Sequence, residues 1–176
     1  MSKRESKPSN HAIGRFIVTA VAMLAIFFVA LTQLRFSEQH LIAPYTVLLA
    51  RSMSVILGVA GLSPAFSGTS VTASGFSATI VPSCAGIEIM ALLAASMLAF
   101  PASVRRKVSG VLLGLVAVHL INIGRLVVLF LIGIHFRSGF DQAHYYYAQG
   151  FLLLATVGIW ALWISRLPRH DLAKRH

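Results

Sequence analysis

The chain has 176 residues, 57% of them hydrophobic and only 11% charged, with a formal net charge of +10. That balance excludes an ordinary soluble domain and is the composition of a membrane protein. Basic residues that serve phosphates form a patch or stripe, whereas eleven of the fifteen here fall in three clusters flanking apolar segments, which argues against nucleic-acid binding.

Taken in chain order, a basic tail (1–15) carrying Lys3, Arg4, Lys7 and Arg15 leads into an apolar run at about 16–34. This run is long enough to cross a bilayer and lacks a small-residue cleavage site, so it reads as a span and not as a secretory signal. A second apolar stretch at about 41–62 carries Pro44 and Arg51. The Ser, Thr, Ala and Gly-rich segment at about 66–82 alternates on either side of Ser74-Gly75 and predicts a short β-hairpin. Apolar runs at about 86–101, 109–134 and 147–165 predict three further spans, separated by "PASVRRK" and "HFRSGFDQAH". A basic tail (166–176) closes the chain.

The positive-inside bias puts all three basic clusters in the cytoplasm, which requires an even number of crossings. Four spans satisfy it, so 41–62 is expected as an outer-side interfacial or re-entrant helix, with Arg51 snorkelling to the headgroups. The expected architecture is therefore an all-α polytopic membrane protein with four transmembrane helices, that extra helix and the hairpin. No repeat, coiled coil, P-loop or dinucleotide fingerprint is present.

The lone cysteine, Cys84, excludes an internal disulfide and has no metal-ligand spacing around it, so no metal or cofactor is expected. On this topology Arg125 lies fifteen residues beyond Gly110, roughly 22 Å along an outward-running helix and in the outer half of the bilayer. Cys84 and His144 each precede an inward-running helix, so three reactive-type side chains share one depth. Each has an ordinary reading by itself. Arg125 can snorkel or pair with Glu88, Cys84 can be an inert small apolar residue, and His144 can be a loop histidine before the aromatic "YYY" at 145–147. A thiol at a helix N-terminus beside an imidazole, however, is a nucleophile's setting. Glu88, four residues after Cys84, is expected on the same helix face, where it can orient a base, neutralise Arg125 or favour the helix N-terminus. Asn122, three residues before Arg125, can bond a substrate carbonyl or make an interhelical contact. His119 lies deeper and reads as packing, and Gly110 with Gly114 forms a small-xxx-small pair.

In order and spacing, "PSCAGIE", "NIGRLVVL" and the histidine before the last span resemble the exosortase/archaeosortase family of membrane cysteine transpeptidases, over about residues 41–165. The short length and "AHYYYAQG" look like the short exosortase H subgroup. The family's C-[SA]-G cysteine, N-x-x-R arginine and later histidine fall on Cys84, Arg125 and His144. His135 also sits near the outer end of its span and stays open as the base, since the family's glycine after the histidine is displaced here to Gly150. The resemblance implies a cysteine peptidase or transpeptidase of the cytoplasmic (inner) membrane. Its partners would be exported proteins whose C-termini carry a short motif, a transmembrane helix and a basic cluster, together with an unknown acceptor. A non-enzymatic transport or assembly subunit, with Arg125 and Glu88 lining a path, is the rival reading; it lacks the two related halves usual in transporters.

Overall fold

The computed structural model describes residues 42–167 and six isolated positions nearer the N-terminus (14, 18, 19, 21, 22 and 25). The predicted span at 16–34 therefore falls almost wholly outside the described residues, as do most of the two basic tails.

The chain is mostly helical. Helix α1 (Ala43–Val59) begins with Pro44, whose fixed φ suits a first turn. Its buried residues Thr46, Leu49, Ala50, Met53 and Leu57 recur at three- and four-residue steps and form one stripe, with Arg51 on the exposed side.

The predicted hairpin is a three-stranded antiparallel sheet, β1 (Ala65–Ser67), β2 (Ser70–Ala73) and β3 (Phe76–Thr79), in the order β1-β2-β3. Its anticipated turn is present: Ser74 and Gly75 both have positive φ, 51° and 75°, as a two-residue hairpin loop of the I′ kind requires. What the pattern concealed is a second reversal at Gly68-Thr69, which pairs Ser67 with Ser70 and adds a strand. Val71 and Ala73 face the core, whereas Ser70 bonds Thr79 (2.8 Å) and Thr72 bonds Ser77 (2.9 Å) across the outer face.

After a single 3-10 turn (Pro82–Cys84) come α2 (Ile87–Ala99) and α3 (Val104–His135). A three-residue helical turn (Phe140–Gln142) and a π-helical stretch (Ala143–Ala148) then lead into α4 (Gln149–Ser165). Among the described residues α3 alone is long and apolar enough to cross a membrane: its 32 residues run roughly 48 Å. It exceeds the predicted 109–134 run by taking in the Arg105-Arg106-Lys107 cluster. Helices α1, α2 and α4 have 17, 13 and 17 residues.

Helix α3 is the organising element, with α1, α2, α4 and β3 packed on it. At its first half the small residues act as the sequence suggests. A Cβ at Gly110 would fall 2.2 Å from Trp163 Nε1, and one at Gly114 would fall 2.9 Å from Leu93 Cδ2, so these positions set how closely α4 and α2 approach. At its last turn Phe76 of β3 lies over Gly133 and packs edge-on against Phe130, with ring centroids 5.3 Å apart. The sheet thereby caps the His135 end of α3. One core joins α1, the sheet and the second half of α3, and Cys84 belongs to it. A second, around Leu93, Met97, Val118 and Leu152, joins α2, α3 and α4.

Candidate active site

Cys84 ends the 3-10 turn and is 5% exposed. Two residues later Gly86 adopts φ 73°, a left-handed conformation that separates this turn from α2. A side chain at Gly86 would also meet Asn122 and Leu152 at 3.4 Å. The break has a consequence for Glu88. Cys84 and Glu88 do not lie on one continuous helix, so the shared face expected of a four-residue spacing does not form. Glu88 stands exposed in the first turn of α2.

The structure does bring the thiol, the imidazole and the guanidinium together. Cys84 Sγ lies 3.5 Å from His144 Nε2. The His144 ring stacks on Phe140, four residues earlier, with centroids 5.7 Å apart and planes 15° from parallel. His144 sits within the π-helical stretch, a widened geometry recurrent at functional positions. His135 is elsewhere: it is exposed, and its Nδ1 lies 2.9 Å from the Leu131 carbonyl on its own helix. Of the two candidate bases, only His144 reaches the sulfur.

Arg125 is 6% exposed and commits three of its five N–H donors. Its Nε donates to Asn122 Oδ1 (3.0 Å), Nη1 to Gln149 Oε1 (3.2 Å) and Nη2 to the Cys84 carbonyl (2.9 Å). No carboxylate pairs with it among the described residues. Asn122, 0% exposed, donates through Nδ2 to the carbonyls of Cys84 (3.2 Å) and Ala85 (2.9 Å). Of its two anticipated roles, the interhelical contact is the one formed: the amide clamps the cysteine loop to α3. His119 packs as expected and lies 2.8 Å from the Tyr45 hydroxyl of α1.

Two participants escaped the sequence reading. Gln149, at the start of α4, was hidden as one polar residue in an apolar-run boundary. Phe140 was one of several aromatics in a connector, and only its four-residue offset from His144 could have drawn notice. Beside the sulfur lies an apolar cavity of about 40 Å³, lined by Ala78 and Thr79 of β3, Ile80, Met53, Leu126, Leu129, Phe130, Phe140 and His144. No group of three His, Cys, Asp or Glu side chains among the described residues can hold a metal ion.

A buried thiol against an imidazole, braced by a guanidinium on a long apolar helix, defines a helical membrane protein with a cysteine-centred site. The family model for transmembrane exosortases (Exosortase_EpsH) matches residues 10–164, and the chain belongs to that family. Membership implies, in general terms, a membrane cysteine transpeptidase acting on proteins with C-terminal sorting signals. No curated protein and no solved structure matches the chain significantly.

Proposed function

We propose that this chain cleaves the C-terminal sorting tail of exported proteins at the outer face of the cytoplasmic membrane and passes the trimmed protein to an acceptor through a thioester on Cys84. The observation that carries the proposal is the 3.5 Å approach of Cys84 Sγ to His144 Nε2 beside the buried Arg125. His144 takes the thiol proton as sulfur attacks the scissile carbonyl; the C–N bond then breaks, and His144 returns the proton to the departing amine of the tail. An amine or hydroxyl acceptor resolves the thioester in transpeptidation, and water resolves it in hydrolysis. Arg125 holds the carbonyl of the nucleophile's own residue and retains two N–H donors for the developing oxyanion or for substrate. Asn122 and Gln149 position that guanidinium. Glu88, exposed at the start of α2, is left for substrate contact.

In this reading four helices cross the bilayer, both termini are cytoplasmic, and α1 lies re-entrant or interfacial on the outer side. Burial of the site among apolar side chains suits a substrate tail that arrives through the membrane.

The test uses an exported reporter carrying a sorting tail from the same cell. Cys84→Ala leaves the chain inserted and abolishes shortening of the reporter, and mass spectrometry of the wild type finds an acyl adduct on Cys84 whose peptide ends at the cut. Unchanged shortening by Cys84→Ala refutes the thioester mechanism and favours a transport or assembly role.

A further inference from the structure

We infer that the segment of the sorting tail around the scissile bond docks as a fourth strand on the free edge of β3, with an apolar side chain in the cavity beside Cys84. This inference rests on the proposed function and adds how the substrate is held.

Strand β3 is an edge of the sheet. Antiparallel pairs alternate between residues that exchange backbone hydrogen bonds and residues that do not. Ile80 N–H donates to the Thr69 carbonyl at 2.9 Å, which places the facing pairs Val71–Ala78 and Ala73–Phe76 in the bonded phase. Ser77 and Thr79 fall in the other phase, so their N–H and C=O groups turn away from β2 and toward the open side. An unpaired edge of this kind is a template for an added strand.

The edge is aimed at the chemistry. Ala78, Thr79 and Ile80 line the same cavity as Cys84, Phe140 and His144, together with Leu126, Leu129 and Phe130. A chain laid along β3 therefore runs beside the cavity that holds the sulfur and the imidazole. Side chains of a strand alternate between faces, so one residue of that chain points toward the cavity. The cavity, about 40 Å³ and mostly apolar in its lining, suits a small apolar side chain. Hydroxyls of Ser70, Thr72, Ser77 and Thr79 bond one another on the opposite face, which leaves the sheet's shape independent of the occupant.

The test begins from the substrate, so that enzyme folding does not enter. Synthetic ten-residue peptides spanning the mapped cut are N-methylated one amide at a time and assayed with the purified full-length chain in detergent. Methylation at alternate positions lowers kcat/KM by about 10-fold or more, the loss expected for one or two backbone hydrogen bonds, with smaller effects between. In parallel, Thr79→Pro, which removes the outward N–H together with the hydroxyl, processes the reporter about 10-fold or more slowly than Thr79→Val, which loses the hydroxyl and keeps the N–H. Equal iodoacetamide alkylation rates of Cys84 in these two variants certify an intact site. Methylation effects without alternation, or equal processing by the two Thr79 variants, overturn the added strand. Such a result together with an inactive Cys84→Ala leaves the cysteine mechanism standing, whereas an active Cys84→Ala removes both.

Discussion

Asn122 is where the cysteine loop is tied to the membrane helix, and removing it gives the most direct measure of that tie. The side chain is wholly buried and makes three hydrogen bonds: two donated to the carbonyls of Cys84 and Ala85, and one accepted from Arg125 Nε. In Asn122→Ala the Cys84 carbonyl keeps the Arg125 Nη2 bond, but Ala85 O and Arg125 Nε lose these partners inside an apolar core. At about 1 kcal/mol per bond, or about 0.6 for contacts between membrane helices, the cost is about 2–3 kcal/mol. Asn122→Leu restores most of the volume without the polar atoms and so separates lost hydrogen bonds from an empty cavity. Thermal unfolding of the purified chain in detergent reads the stability, and reporter processing well below the melting temperature reads the site. Asn122→Leu loses about 2–3 kcal/mol and Asn122→Ala at least as much, and both slow processing by at least about 10-fold because the nucleophile's loop is released from the Asn122 amide and the Arg125 guanidinium loses one of its positioning bonds. A loss below about 0.5 kcal/mol in both variants, with processing intact, would refute the tie.

His144→Ala abolishes reporter shortening, whereas His135→Ala, exposed and bonded within its own helix, leaves it unchanged; parallel gels check both. Gly133→Ala puts a Cβ 2.2 Å from Phe76 Cζ and pushes the ring from its place against Phe130 and Phe140. The cost is about 1–3 kcal/mol, read as a lowered melting temperature. Tyr45→Phe removes the hydroxyl contact to His119 and costs about 1 kcal/mol in the same melt, with processing retained because this hydroxyl bonds none of Cys84, Arg125 and His144.

The apolar runs were legible because a helix in or near a membrane is written in composition alone, and α2, α3 and α4 fall within or around the predicted runs at 86–101, 109–134 and 147–165. Strand count was less legible. Short polar strands of three and four residues carry little periodicity, and the turn at Gly68-Thr69 lies within the same Ser- and Thr-rich stretch as the one at Ser74-Gly75. The meeting of Cys84, Arg125 and His144 was inferred from depth, a one-dimensional quantity that the charge clusters supply. What depth cannot supply is orientation. The left-handed turn at Gly86 rotates Cys84 away from Glu88, and the choice of His144 over His135 depends on a helical segment folding back over β3. Gln149 became visible only once α4 lay beside α3.

The two halves of the sulfur–nitrogen pair are held by different means. Cys84 is fixed through its carbonyl by Arg125 and Asn122, one helical turn apart on α3, in a buried network whose bonds reinforce one another in a low-dielectric surrounding. His144 is fixed by stacking on Phe140, which is itself packed edge-on against Phe76 of β3 with centroids 5.3 Å apart. The ring stack runs on from Phe76 to Phe130 of α3, so sheet, helix and histidine segment meet at one aromatic cluster. Distance between sulfur and imidazole therefore depends on the seating of Phe76 over Gly133, although neither residue touches either reacting atom. A strand added to β3 would bear on the same cluster from the open side. Substrate docking and alignment of the base would then be mechanically linked, and a tail that pairs poorly with β3 would meet a thiol whose base is less well held.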